Sequence, residues 1–198
     1  MDARDLFLAQ HAAVHSKEVG GNPASAAERT FGGLTEDQMR TRPREDLNSL
    51  AWIMWHIARA EDILAGAVIG GRDQVFDAGW MKRLNIARKD FGIGMKSADV
   101  WDLTRQIDVA ALREYRDAVG KHTREIVGAF KDADWQGSIE SSALERVAAQ
   151  GNIPEALVKI FGGRPRSAVL SGIALFHPSG HMGEAVTVRS AGGFGTGV

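Results

Sequence analysis

Apolar residues in this chain recur at helical spacing almost from end to end, and no stretch alternates apolar with polar residues as a half-buried strand does. That property sets aside sheets, barrels and sandwiches and leaves an all-α fold. The run "LNSLAWIMWHIARAEDILAGAVIGG" at 47–71 shows it most plainly, closing on the Gly70-Gly71 stop of a helix C-terminus. The spacing predicts four long helices, over about 3–19, 47–69, 108–131 and 165–190. Asp108 is placed to cap the third, and Pro165 suits the first turn of the fourth. Shorter helices are predicted at "SAAERTFGGL", after the cap signal of Thr35, at "GWMKRL", after Ser97, and at "SALERVAAQ" and "PEALVKIF". Such a set predicts an up-and-down four-helix bundle with short extra helices.

A chain of 198 residues suffices for one well-buried domain and is short for two. The expected domain is 1–190, followed by a flexible, glycine-rich tail at 191–198. A net charge of -1 gives no electrostatic case for nucleic acid or an anionic membrane as partner. No stretch approaches the roughly 20 apolar residues of a membrane span, and the N-terminus lacks the basic start and apolar run of a signal peptide. The expectation is a cytoplasmic protein that acts on a small molecule. The absence of cysteine excludes disulfides, a catalytic thiolate and thiolate metal sites. A metal here would have to be held by His, Asp, Glu or water.

The segment "ALFHPSGHMGEAVTVR" sets His177 and His181 four residues apart. On a helix that spacing puts two imidazoles on one face, where both can reach one ion. A pair alone binds weakly, so a third ligand has to come from another helix. His56 is the best candidate, in a stripe with Trp52, Trp55, Arg59 and Ile63 that faces the bundle core or its rim. Taken alone, His56 reads as a core histidine satisfied by one hydrogen bond. A His-x-x-x-His pair on another helix shifts that balance, because bundles build metal sites from inward side chains on facing helices. Pro178 lacks the N–H that would bond Ala174, which predicts either a kink near the site or a helix starting afresh there. His11 and His15 form another i, i+4 pair, with no third motif attached, and read as surface or rim residues, a rival metal pair being the lesser alternative.

The stretches "LTEDQMRTRPREDLNSLAWIMWHIARAED" and "ALFHPSGHMGEAVTVR" resemble, in order and spacing, the two signature regions of the DinB-like superfamily. The likeness extends to the third long helix and covers most of the chain. It implies a four-helix bundle holding a divalent metal, zinc or nickel first, on three side chains that fall here on His56, His177 and His181. Glu184 matches the "H-x-G-E" of that pattern and reads as a hydrogen-bond acceptor for a ligand imidazole, as a base, or as a plain surface carboxylate. Arg59 and Glu61 read as substrate or supporting groups, with an ion pair to Asp62 the simpler reading of Arg59.

The resemblance further implies a metal-dependent thiol S-transferase or isomerase. Since the chain has no cysteine, such an enzyme would take a low-molecular-weight thiol as cosubstrate. The alternatives are a metal-dependent hydrolase and a non-catalytic, stress-linked metal-binding protein. Members of the family often dimerise, and a homodimer is the expected state.

Overall fold

The computed structural model describes residues 1–196. Its helices are α1 (Ala3–Val14), α2 (Lys17–Gly20), α3 (Ala26–Phe31), α4 (Glu36–Arg40), α5 (Leu50–Glu61), α6 (Ala78–Leu84), α7 (Ser97–Gln106), α8 (Val109–Gly128), α9 (Asp132–Gln136), α10 (Ser141–Ala149), α11 (Glu155–Phe161), α12 (Arg166–Ser171) and α13 (His177–Ala191). Two wider-wound segments, π1 (Asp62–Ile69) and π2 (Gly172–Phe176), continue α5 and join α12 to α13. Among the described residues there is no strand, only a bridge between Ser138 and Pro165. The fold is all-α. Its four long helical runs close a ring, because α1 packs on α8, α8 on α5, α5 on α13, and π2 on α1.

Local chemistry sets most boundaries. Thr35 and Gln38 form a reciprocal capping box at the start of α4. The Asp108 carboxylate accepts the Ala111 N–H at the start of α8. The first long helix ends early, because His15 is extended, and the chain restarts as α2 after Ser16. The second starts later than the spacing predicts: the Ser49 hydroxyl caps it by accepting the Trp52 N–H, which leaves Asn48 outside the helix.

Every residue from Leu50 to Ile69 is buried, so α5 and π1 form the central rod of the molecule. An enclosed helix must find internal partners for its polar side chains. Arg59 does so by donating to Asp62 Oδ2 at 2.9 Å, to the Tyr115 hydroxyl at 3.0 Å, to Gln74 Oε1 at 2.9 Å and to the Lys89 carbonyl. Asp62 in turn accepts the backbone N–H groups of Val75 and Phe76 at 2.8 and 3.0 Å, pinning the loop after π1.

The last long helix stays helical through Pro178, without the fresh start that was one expectation for it. A proline ring in a regular α-helix collides with the carbonyl four residues back. Here the preceding turn is widened, with the His177 N–H bonding the Gly172 carbonyl five residues back. Beyond α13, Gly192–Gly195 turns back on Arg189, which donates to the carbonyls of Phe194 and Gly195 at 3.2 Å each and to Thr30 at 2.7 Å. Residues 197 and 198 of the expected tail lie outside the described residues. Among the described residues, no helix is long and apolar enough to cross a membrane.

Candidate metal centre

His56 comes from the middle of α5, and His177 and His181 come from the first turns of α13. One ring nitrogen from each of the three lies within 4.8 Å of the others. The ring centroids stand 4.9 Å apart for His56 and His177, 4.6 Å for His56 and His181, and 4.6 Å for His177 and His181. The Nε2 atoms of His56 and His177 face each other at 3.0 Å.

The surroundings decide which nitrogen is bare in two of the rings. His56 Nδ1 donates to the Phe91 carbonyl, so its Nε2 carries the free lone pair. His181 Nδ1 donates to Glu184 Oε2 at 2.7 Å, with the same result at its Nε2. Metal-binding histidines are held in this way, the second N–H given to a carbonyl or carboxylate. The Trp52 indole stacks on the His56 ring at 4.8 Å with 9° between planes, fixing its rotation. Burial pushes the His56 imidazole down to about 4, against the opposing bond to Phe91, and pushes His177 down to about 3. Both are therefore neutral, with bare nitrogens, at pH 7.

Glu184 serves as an acceptor within this arrangement. Its Oε2 takes the His181 proton, and its Oε1 takes the Asn48 amide at 2.8 Å. Burial alone would raise its carboxyl, but the hydrogen bonds from His181 and Asn48 outweigh it and hold Glu184 below its usual range. Asn48 carried no sequence signal, since it was expected inside the helix. Arg59 is not drawn in: among the described residues its polar contacts go to Asp62, Tyr115, Gln74 and Lys89, and none to the histidines.

A second cluster corrects the surface-or-rim reading of His11 and His15, which are 0% and 1% exposed. α1 turns both rings inward to Glu61, with His11 Nε2 at 3.1 Å and His15 Nε2 at 3.7 Å from its two oxygens. His11, His15 and Glu61 also have ligand atoms within 4.8 Å of one another. The hydrogen bonding of His15 is nevertheless the reverse of that of His56 and His181. The Ser16 N–H donates to His15 Nδ1 at 3.0 Å, so that nitrogen is the acceptor and Nε2 carries the hydrogen towards Glu61. The fully enclosed Arg116, pushed down to about 10 by burial against the pull of Glu61, supplies a neighbouring positive charge. This cluster compensates a buried carboxylate and does not offer a cation three bare donors. The i, i+4 spacing of His11 and His15 was the sequence signal for it, whereas Glu61, expected to act beside His56, faces this cluster instead.

A sequence profile described as the DinB superfamily matches residues 24–157, about two thirds of the chain. The chain belongs to the DinB superfamily. No curated protein matches it. The DinB span contains His56 and stops before His177 and His181, so that pair stands on its motif and on the geometry above.

Proposed function

We propose that His56, His177 and His181 bind one divalent metal ion, zinc or nickel, and that the protein is a metal-dependent enzyme acting on a low-molecular-weight thiol. One observation carries the reading: His56 and His181 each give their Nδ1–H to an acceptor, which leaves both Nε2 lone pairs free in a trio whose ligand atoms lie within 4.8 Å of one another. Three imidazoles and no cysteine make a nitrogen-only donor set, suited to zinc, nickel, copper or iron. A divalent ion held by three ligands with open positions lowers the pKa of a thiol or of water placed there.

The chain's own contribution is orientation and desolvation. The Phe91 carbonyl and Glu184 hold two tautomers, Trp52 shields His56, and burial keeps His56 and His177 unprotonated. A hydrolase would need a carboxylate free to take a proton from water. Glu184 is held by His181 and Asn48 in the place of a ligand support and not of a base aimed at water, which favours the thiol transferase or isomerase over the hydrolase.

The test is metal analysis of the purified protein, followed by a thiol–electrophile conjugation screen with and without metal. Turnover that needs both metal and thiol supports the reading. Turnover without thiol points to hydrolysis. Bound metal with no turnover leaves a non-catalytic metal-binding protein, and no metal on the wild type removes the proposal.

A further inference from the structure

We infer that the cavity beside His177 receives the apolar body of a small organic acid, with Arg164 binding its carboxylate. The inference rests on the metal-site reading above and names a substrate class for it. The cavity has a volume of about 310 Å³. That is room for a molecule of about ten heavy atoms, at roughly 30 Å³ for each water-sized unit. Its walls are the apolar side chains of Phe161, Val169 and Ile173, and His177 is the residue it shares with the histidine trio.

Two features turn this space from a packing gap into a selective pocket. Gly172 lines it, and a Cβ built there would meet nothing within 4 Å. The glycine thus leaves open a wall that any other residue would begin to fill. Arg164 is the one charged side chain in the lining, His177 being neutral, and no carboxylate accompanies it. The nearby Arg166 pairs with Asp134 at 3.7 Å, whereas Arg164 forms no ion pair among the described residues. A half-open apolar pocket with a single cation at its edge selects molecules with an apolar body and a terminal anion. His177 Nδ1 is buried and makes no hydrogen bond among the described residues. The pocket therefore adjoins the one imidazole of the trio whose second nitrogen the protein has not engaged.

The test uses the whole chain, metal-loaded and metal-free, and three probes of one shape: 3-phenylpropionate, 3-phenylpropanol and 3-phenylpropylamine, titrated calorimetrically. The acid should bind most tightly and the amine about tenfold more weakly or worse, as attraction to Arg164 gives way to repulsion. Gly172→Leu should weaken all three by about tenfold or more, with helix content and melting checked by circular dichroism. Arg164→Gln lies at an exposed position and should remove the preference for acid over amine while leaving the alcohol unchanged. Equal binding of the three probes, or acid affinity untouched by Gly172→Leu, overturns the inference. Elemental analysis of the same samples separates the two readings. Probes that behave as expected on a protein unable to hold metal would sink the metal site alone, and bound metal with no probe binding would sink the pocket alone.

Discussion

Asn48 donates a 2.8 Å hydrogen bond to Glu184 Oε1, although 136 positions separate the two residues. The bond forms because α5 begins at Leu50, so that Asn48 stays in the loop facing α13. It completes a line from Asn48 through Glu184 to His181, whose Nε2 is the donor at the proposed metal. Asn48→Ala should lower metal affinity by about tenfold, the usual effect of removing such a support, and stability by about 1 kcal/mol. Chelator competition measures the first and denaturant melts the second. Unchanged affinity would mean that Glu184 holds His181 without help.

The two histidine clusters should respond oppositely to alanine. His56→Ala should cut metal content sharply and abolish any activity. His11→Ala should leave metal content intact and instead destabilise the protein by about 3 kcal/mol, because it strips a partner from the enclosed Glu61 carboxylate. Elemental analysis beside thermal melts checks both. Full metal occupancy in His56→Ala would remove the proposed site.

His15 should make the fold sensitive to acid. Burial first, then Arg116, His11 and Arg124, hold its imidazole well below the 6.5 of an unfolded chain. The carboxylate facing it is Glu61. Below 6.5 the unfolded state takes up a proton that the folded state refuses, so this contribution is complete above 6.5 and drains away as pH falls. The slope is about 1.4 kcal/mol per pH unit for one proton. Melting temperature followed from pH 7.5 to 5 should fall, and His15→Gln should flatten that fall. An identical slope in the variant would assign the effect to other groups.

A homodimer is the oligomeric state we propose. Among the described residues Leu6, Ile93, Ile160 and Phe176 are exposed, Phe176 by 75%. Light scattering at micromolar concentration should give about twice the 21.4 kDa of the chain, and Phe176→Ser should shift it towards monomer. A monomer in the wild type disposes of the proposal.

What the sequence made legible was whatever repeats at short range. The helices, the Thr35 and Asp108 caps and the His177/His181 pair all depend on neighbours within about a turn, and each is written in the local pattern. His56 could be chosen because it interrupts an apolar stripe. The missing parts depend on distant partners. His11 meets Glu61 across 50 positions, which made an apparently marginal pair into an interior one. Asn48 was hidden by a three-residue error in a helix start. Neither π1 nor π2 leaves a composition signature, because each differs from its surroundings by hydrogen-bond register and not by residue type.

The widened turn at Gly172–Phe176 acts as an indexing step along the last helix. An α-helix advances about 100° per residue, so one residue more or less there rotates everything before it by that angle against everything after. His177 and His181 lie after the step, and Val169 lies before it. The phase between the histidines and the cavity wall is therefore stored in the length of the segment, not in the identity of its residues. A single deletion within 172–176, with every histidine left in place, would turn that wall away from His177, which now lines it.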